Sequence, residues 1–131
     1  MLVVRASLRP SGIHGLGCFT DEPIAQGQVT WVFDARVDVR IAADELATMP
    51  EPFQAYCDLY GYAEIVDGRR VITVCGDHSK HMNHSLRPNI LSQGENDVAA
   101  RAIAAGEELT CNYYDFDLDA GEKLTALGAP V

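Results

Sequence analysis

One stretch restricts what this chain can fold into more than any other: Met82-Asn83-His84-Ser85-Leu86-Arg87-Pro88-Asn89, two-thirds of the way along. Apart from Met82 and Leu86 it is polar or breaks regular backbone, yet it lies between two apolar runs. Val71-Ile72-Thr73-Val74-Cys75 precedes it and a second run begins at Ile90-Leu91. Polar side chains between core-forming runs cost free energy unless each finds a partner, so Asn83 and His84 are expected to be hydrogen-bonded to something specific. Pro88 removes a backbone donor and biases Arg87 to an extended conformation, which excludes a regular helix or a central strand. A loop of this kind in a compact domain is a candidate site.

The rest of the chain limits what that site can serve. A length of 131 residues supports a single domain, 1–131, with one core. Apolar residues make up 47% and charged residues 22%, the balance of a soluble globular protein. The apolar runs are too short to cross a membrane. Met1-Leu2-Val3-Val4-Arg5 lacks the basic start and long apolar core of a signal peptide, so an intracellular location is expected, cytoplasmic if the source is bacterial. Cys18, Cys57, Cys75 and Cys111 are widely spaced with no C-x-x-C pair, and they are predicted to be free thiols in or near the core. A net charge of −9 argues against direct nucleic-acid binding and fits a basic, Lys/Arg-rich partner, although acidity also serves solubility.

The element pattern is short and strand-rich. Strands are predicted at Leu2 to Ala6, Cys18 to Thr20, Gln28 to Phe33 and, by alternation, Val37 to Ile41. Ala43 to Met49 has helical spacing, and Pro52 opens a second helix through Tyr60. Ala63 to Val66 and Arg70 to Cys75 flank Asp67-Gly68, a strong hairpin signal. Asn89 to Gln93, Val98 to Ile103 and Glu108 to Asn112 complete the strands, and Asp119 to Leu127 has weak helical potential. The sum is an α+β domain, mostly β, with a few short helices.

Three constellations carry chemistry. Gly15-Leu16-Gly17 resembles a phosphate-cradling loop, but the dinucleotide fingerprint needs a third glycine where Thr20 stands and a helix where a strand is predicted. Two glycines still let the backbone approach a ligand closely, or simply make a turn. Cys75, His78, His81 and His84 recur every third residue, a spacing that suits neither a helix face nor a strand, so no metal site is predicted. Tyr113-Tyr114 follows Glu107-Glu108-Leu109-Thr110-Cys111-Asn112 and precedes Asp115-Phe116-Asp117. This pattern suits either core packing beside a solvated acidic surface or a tyrosine hydroxyl delivered to an acid-mouthed site.

In order and spacing, Ser11-Gly12-Ile13-His14-Gly15-Leu16-Gly17-Cys18-Phe19, Asn83-His84-Ser85-Leu86-Arg87-Pro88-Asn89 and Gly106-Glu107-Glu108-Leu109-Thr110-Cys111-Asn112-Tyr113 resemble the SET domain of protein lysine methyltransferases. The resemblance runs from about Val4 to Phe116, leaves 117–131 as a short tail, and is similar in size to the minimal viral and bacterial members. It implies small curved β-sheets with a pseudoknot, in which the Asn-His segment threads under the loop carrying the last tyrosine. It implies S-adenosylmethionine as cofactor, held by the backbone of His14, Gly15, Leu16 and Gly17 and by Asn83, His84 and Tyr113. It also implies Tyr113 as the catalytic residue and a protein lysine as methyl acceptor. Tyr56, Tyr60, Tyr62, Tyr114 and Phe116 are candidate walls of the lysine channel. Lys80-His81-Met82 and Cys111-Asn112 depart from the common pattern without removing Tyr113, Asn83 or His84. No cysteine-rich zinc segment follows Tyr113, so the tail or a partner subunit in a homodimer would close the channel. The alternative is an inactive module of the same fold that binds a basic peptide or the cofactor.

Overall fold

The computed structural model describes residues 1–128. Four small sheets replace the single large sheet of many α/β proteins. β1 (Ala6–Pro10) and β2 (Leu16–Thr20) form an antiparallel ribbon, with Ala6 opposite Thr20 and Pro10 opposite Leu16. β3 (Val29–Val32) pairs with β9 (Asn96–Ala99), which pairs in turn with β8 (Ile90–Gln93). β4 (Val39–Ala42), β6 (Arg69–Val74) and β5 (Tyr62–Val66) form the third sheet, with Asp67-Gly68 as the predicted two-residue turn between Val66 and Arg69. Helices α1 (Ala43–Leu46) and α2 (Glu51–Tyr60) cover that sheet, and α3 (Ala120–Ala126) closes the described chain.

Two strand expectations shift, and the strand expected at Glu108 to Asn112 shrinks to Thr110–Cys111. The first strand is Ala6–Pro10 rather than Leu2 to Ala6, because the residues before it have other partners. The Leu2 amide donates to Asp77, the Val3 amide donates to the Thr30 carbonyl, and Leu2 makes only a single bridge to Trp31. The strand expected at Val98 to Ile103 is Asn96–Ala99. Gln93 and Asn96 pair directly across Gly94-Glu95, tightening the loop to two residues and drawing the strand forward, while Ile103 only bridges Ile24.

The fourth sheet is the smallest and organises the rest. β7 (Asn83–His84) lies parallel to β10 (Thr110–Cys111), although parallel neighbours ordinarily need a long crossover. Here the crossover is the β8–β9 hairpin and the segment that returns past β2. The Leu109 amide donates to the Cys18 carbonyl at 2.7 Å, and the Ser85 amide reaches the Cys111 carbonyl at 3.0 Å. Asn89 clamps the crossing: its Nδ2 donates to the Glu108 carbonyl at 2.8 Å and its Oδ1 accepts from the Thr110 amide at 2.8 Å. This is how most of a polar stretch sits between core strands, since the Asn83 and Asn89 amides are partnered and extend a backbone ladder of only two residue pairs.

One core cluster gathers at this crossing, with Cys18, Ile24, Ile90, Ile103 and Leu109 at most 2% exposed. A second, formed by Leu46, Cys57 and Val74 with Phe53 and Tyr56 against them, holds α1 and α2 to the third sheet. All four cysteines are free and buried, as their spacing predicts.

Candidate active site

The parallel crossing brings all three sequence motifs together. Gly15 takes φ 48°, a left-handed conformation that carries little cost for glycine, and nothing lies within 4 Å of the Cβ it lacks. Gly17 is constrained differently. A Cβ there would stand 2.2 Å from the Glu108 Oε1, so only glycine lets that carboxylate approach the loop. The Asn83 Nδ2 donates to the His14 carbonyl at 3.0 Å, the Leu16 carbonyl at 3.3 Å and the Glu108 Oε1 at 2.9 Å. The Ser11 hydroxyl donates to the same carboxylate, 2.7 Å from Oε1, and accepts from the Ile13 amide at 2.9 Å.

His84 and Tyr113 form the second half of the cluster. The Tyr113 amide donates to the His84 Nδ1 at 3.1 Å, which places the ring proton on Nε2; that atom is buried without a partner among the described residues. Burial lowers the pKa of His84 and nearby Asp115 opposes the shift. The Tyr113 hydroxyl donates to the Met82 carbonyl at 2.7 Å, and its ring lies 5.2 Å from that of His84. Burial, reinforced by Cys111, Asp117 and Glu108, raises the phenol well above its ordinary value, so it stays protonated at neutral pH.

Beside this cluster lies a cavity of about 230 Å³ that shares Tyr113 and Met82 with it but is not lined by His14 to Gly17, Asn83 or His84. Tyr60, Tyr62 and Phe116 line it, and the Tyr62 and Phe116 rings meet edge to face at 5.1 Å. Glu64, Asp97, Asp115 and Asp117 also line it; Glu64 is paired with Arg40 and Asp117 with Lys123, and burial pushes Asp97 up to about 6. Both lysines of the chain, Lys80 and Lys123, are on its wall. The remaining two candidates lie elsewhere. Tyr56 stacks on Phe53 at 5.9 Å within the α2 core, and half-exposed Tyr114 packs edge-on against His84 at 5.7 Å.

Lys123 was not visible as a site residue in the sequence. Its ammonium donates to the Gly61 carbonyl and, at 2.5 Å, to Asp117 Oδ2, and it stands 5.7 Å over the Tyr113 ring. Asp117 Oδ1 accepts from the Ala63 and Asp119 amides at 3.0 Å each. The segment after Tyr113 is thereby fastened to β5 and forms one wall of the cavity. Ser11, Glu108 and Asn89 were also missed, although each lies inside a motif; the signal was a polar residue flanking a buried apolar one, as in Glu108-Leu109. Among the described residues no group of three or more Cys, His, Asp or Glu side chains could hold a metal ion, and no helix is long and apolar enough to cross a membrane.

A domain of small sheets knotted through one parallel crossing, with a glycine loop, an Asn-His pair and a buried tyrosine around it, defines a narrow structural class. A family model described as the SET domain matches residues 15–114, and the chain belongs to that family. It is similar to a Plasmodium falciparum protein assigned by name as histone-lysine N-methyltransferase 1, with 30% identity over 135 residues; the match covers 95% of this chain and 2% of the relative's length. Among solved structures it resembles Chaetomium thermophilum Polycomb Repressive Complex 2 bound to S-adenosylmethionine, with TM-score 0.69 and 22% identity over 94% of this chain and 17% of that one. A crystal structure of a Plasmodium falciparum chain assigned as a histone methyltransferase gives TM-score 0.60 and 19% identity, covering 84% of this chain and 93% of that one. At these identities the two structures establish the fold. S-adenosylmethionine is the cofactor of SET methyltransferases and the group bound in the Chaetomium thermophilum structure.

The residues present suit that cofactor. His84 Nε2 is a buried donor without a partner, and among the described residues no donor reaches the Asn83 amide oxygen. The glycine loop leaves open space at Gly15 where a side chain would otherwise project.

Proposed function

We propose that the chain transfers a methyl group from S-adenosylmethionine to the side-chain amine of a protein lysine. The observation that carries this reading is the position of Tyr113, which belongs both to the His14–Gly17, Asn83 and His84 cluster and to the cavity beside it. The cluster is the cofactor side, the cavity is the lysine channel, and Tyr113 stands where they meet.

When bound, S-adenosylmethionine supplies a methyl group on a positively charged sulfur. Transfer to an amine in line with that bond needs no metal, acid or covalent intermediate, only alignment and a neutral nitrogen. The chain's residues supply alignment. Because the Tyr113 hydroxyl proton is committed to the Met82 carbonyl, its oxygen lone pairs remain to accept an amine N–H or a polarised methyl C–H. Its raised pKa keeps it from acting as the base. A free lysine has a pKa of about 10.4 and must arrive neutral. Asp97 and Asp115 on the cavity wall attract the ammonium form, and against that pull the apolar faces of Tyr62, Phe116 and Trp31 favour loss of its proton. The net charge of −9 favours a basic, lysine-containing protein as substrate.

The test is transfer of a labelled methyl group from the cofactor to lysine-containing proteins, histones among them, by wild-type protein and Tyr113→Phe. Label on lysine that is lost in the variant supports the assignment. Tight cofactor binding with no transfer to any protein would instead make the chain a binding module.

A further inference from the structure

A single carboxylate, Glu108, joins the three motifs that the sequence keeps far apart. It accepts from the Ser11 hydroxyl, 2.7 Å from Oε1 and 2.9 Å from Oε2, and its Oε1 also accepts from the Asn83 amide at 2.9 Å. Ser11 in turn accepts from the Ile13 amide at 2.9 Å and the His14 amide at 3.4 Å, so the carboxylate holds the glycine loop through the hydroxyl. The missing side chain of Gly17 is what admits it, since a Cβ would overlap Oε1.

The chemistry of these partners decides which way the Asn83 amide faces. Its neighbours on the nitrogen side, the His14 carbonyl, the Leu16 carbonyl and the Glu108 carboxylate, are all acceptors. Neither a carbonyl nor a carboxylate can offer a proton, so the amide turns its NH2 toward them and leaves its oxygen for a ligand, and the carboxylate, as the charged acceptor, holds it most strongly. That oxygen is an acceptor, and the group it suits is a donor, preferably a cation such as the α-ammonium of the cofactor's amino-acid portion. We propose that Glu108 is a positioning residue for the cofactor: with the His14 and Leu16 carbonyls it holds the Asn83 amide with its oxygen outward, and its charge makes that hold strong enough for the site to select ligands carrying the ammonium. This inference rests on the cofactor side assigned above.

The experiment is calorimetric titration with S-adenosylhomocysteine, which carries the amino-acid portion, and with 5′-methylthioadenosine, which lacks it. The proteins are wild type, Glu108→Gln, Asn83→Ala and the double variant. Glutamine keeps the shape but removes the charge and adds a donor, so the Asn83 amide loses the one charged acceptor among the three that turn its NH2 inward, and its orientation is less strongly enforced. In Glu108→Gln, affinity for S-adenosylhomocysteine is expected to fall about five- to tenfold, the difference between a charged and a neutral hydrogen-bond acceptor. Affinity for 5′-methylthioadenosine should stay within about twofold. In the Asn83→Ala background, Glu108→Gln should cause no further loss, because its effect passes through the amide. Equal weakening of both ligands would make Glu108 a general structural brace, and additive losses in the double variant would place its action outside Asn83. Either result overturns the proposal. Failure of the wild type to bind either ligand would overturn the cofactor assignment itself, and it is read before any variant is compared.

Discussion

At the scale of single residues, the site depends on two groups held in one protonation state. Tyr113 donates its hydroxyl to a hydrogen bond with the Met82 carbonyl, and burial keeps the proton on the phenol. Tyr113→Phe removes one buried hydrogen-bonding group, about 1–3 kcal/mol. If the oxygen acts mainly in the transition state, kcat should fall about 10- to 100-fold. S-adenosylhomocysteine affinity, measured by calorimetry, should change little; a matching loss of affinity would show that the hydroxyl serves the bound state instead. His84 is held neutral by a bond its protonated form cannot accept, from the Tyr113 amide to Nδ1. Its folded-state pKa lies below the ordinary value of about 6.5, mainly through burial. The unfolded chain therefore takes up the proton first, so the contribution of His84 is complete above about pH 6.5 and is lost as pH falls through that value toward the folded one. His84→Asn can still accept from the amide but does not titrate. Urea unfolding at pH 7.5 and 5.5 should show the stability advantage of wild type over the variant shrinking at the lower pH. An advantage that stays constant would mean that His84 titrates alike in both states.

At the scale of elements, the piece that decides whether the cavity is closed is α3. Its Lys123 side chain is 11% exposed and its partner Asp117 is 1% exposed, so the pair is buried, and each member also bonds to backbone of the β5 region. Removing one member of a buried pair leaves the other charge uncompensated, at a cost of about 3–5 kcal/mol. Asp117 would keep two amide donors, which puts Lys123→Met near the lower end, about 3 kcal/mol in urea unfolding. The double variant with Asp117→Asn should recover much of that loss; losses that simply add would show that the two side chains do not act as a pair. The same contact explains what was legible in advance. The hairpin at Asp67-Gly68 was legible because two residues set its register, and α2 because Pro52 and its apolar spacing are local signals. The first strand was misplaced because Asp77, more than seventy positions away, takes the Leu2 amide. Lys123 was invisible for the same reason: only the fold brings it to Gly61 and Tyr113. The motif resemblance supplied Asn83, His84 and Tyr113, but not the Glu108 carboxylate between them, which depends on the missing Cβ of Gly17.

At the scale of the whole molecule, charge and topology divide the work. Topology holds the motifs in place through a crossing of only two residue pairs, and the contacts on the cofactor side are short hydrogen bonds, those to the Glu108 carboxylate among them. The excess charge is spread over the chain, 19 acidic against 10 basic residues, and the cavity adds its own carboxylates. Such a field acts at long range and raises the encounter rate of a basic partner, but it is screened beyond about 10 Å at 0.1 M salt. The two ligands of the proposed reaction should therefore respond differently to ionic strength. S-adenosylhomocysteine carries no net charge at neutral pH, and its affinity should change by less than about twofold between roughly 20 and 200 mM salt. A lysine-rich peptide approaches through the field, and its kcat/KM should fall severalfold over the same range, with most of the change in KM. If the peptide were insensitive to salt, recognition would rest on the cavity walls alone, and the acidity of the chain would serve solubility rather than substrate capture.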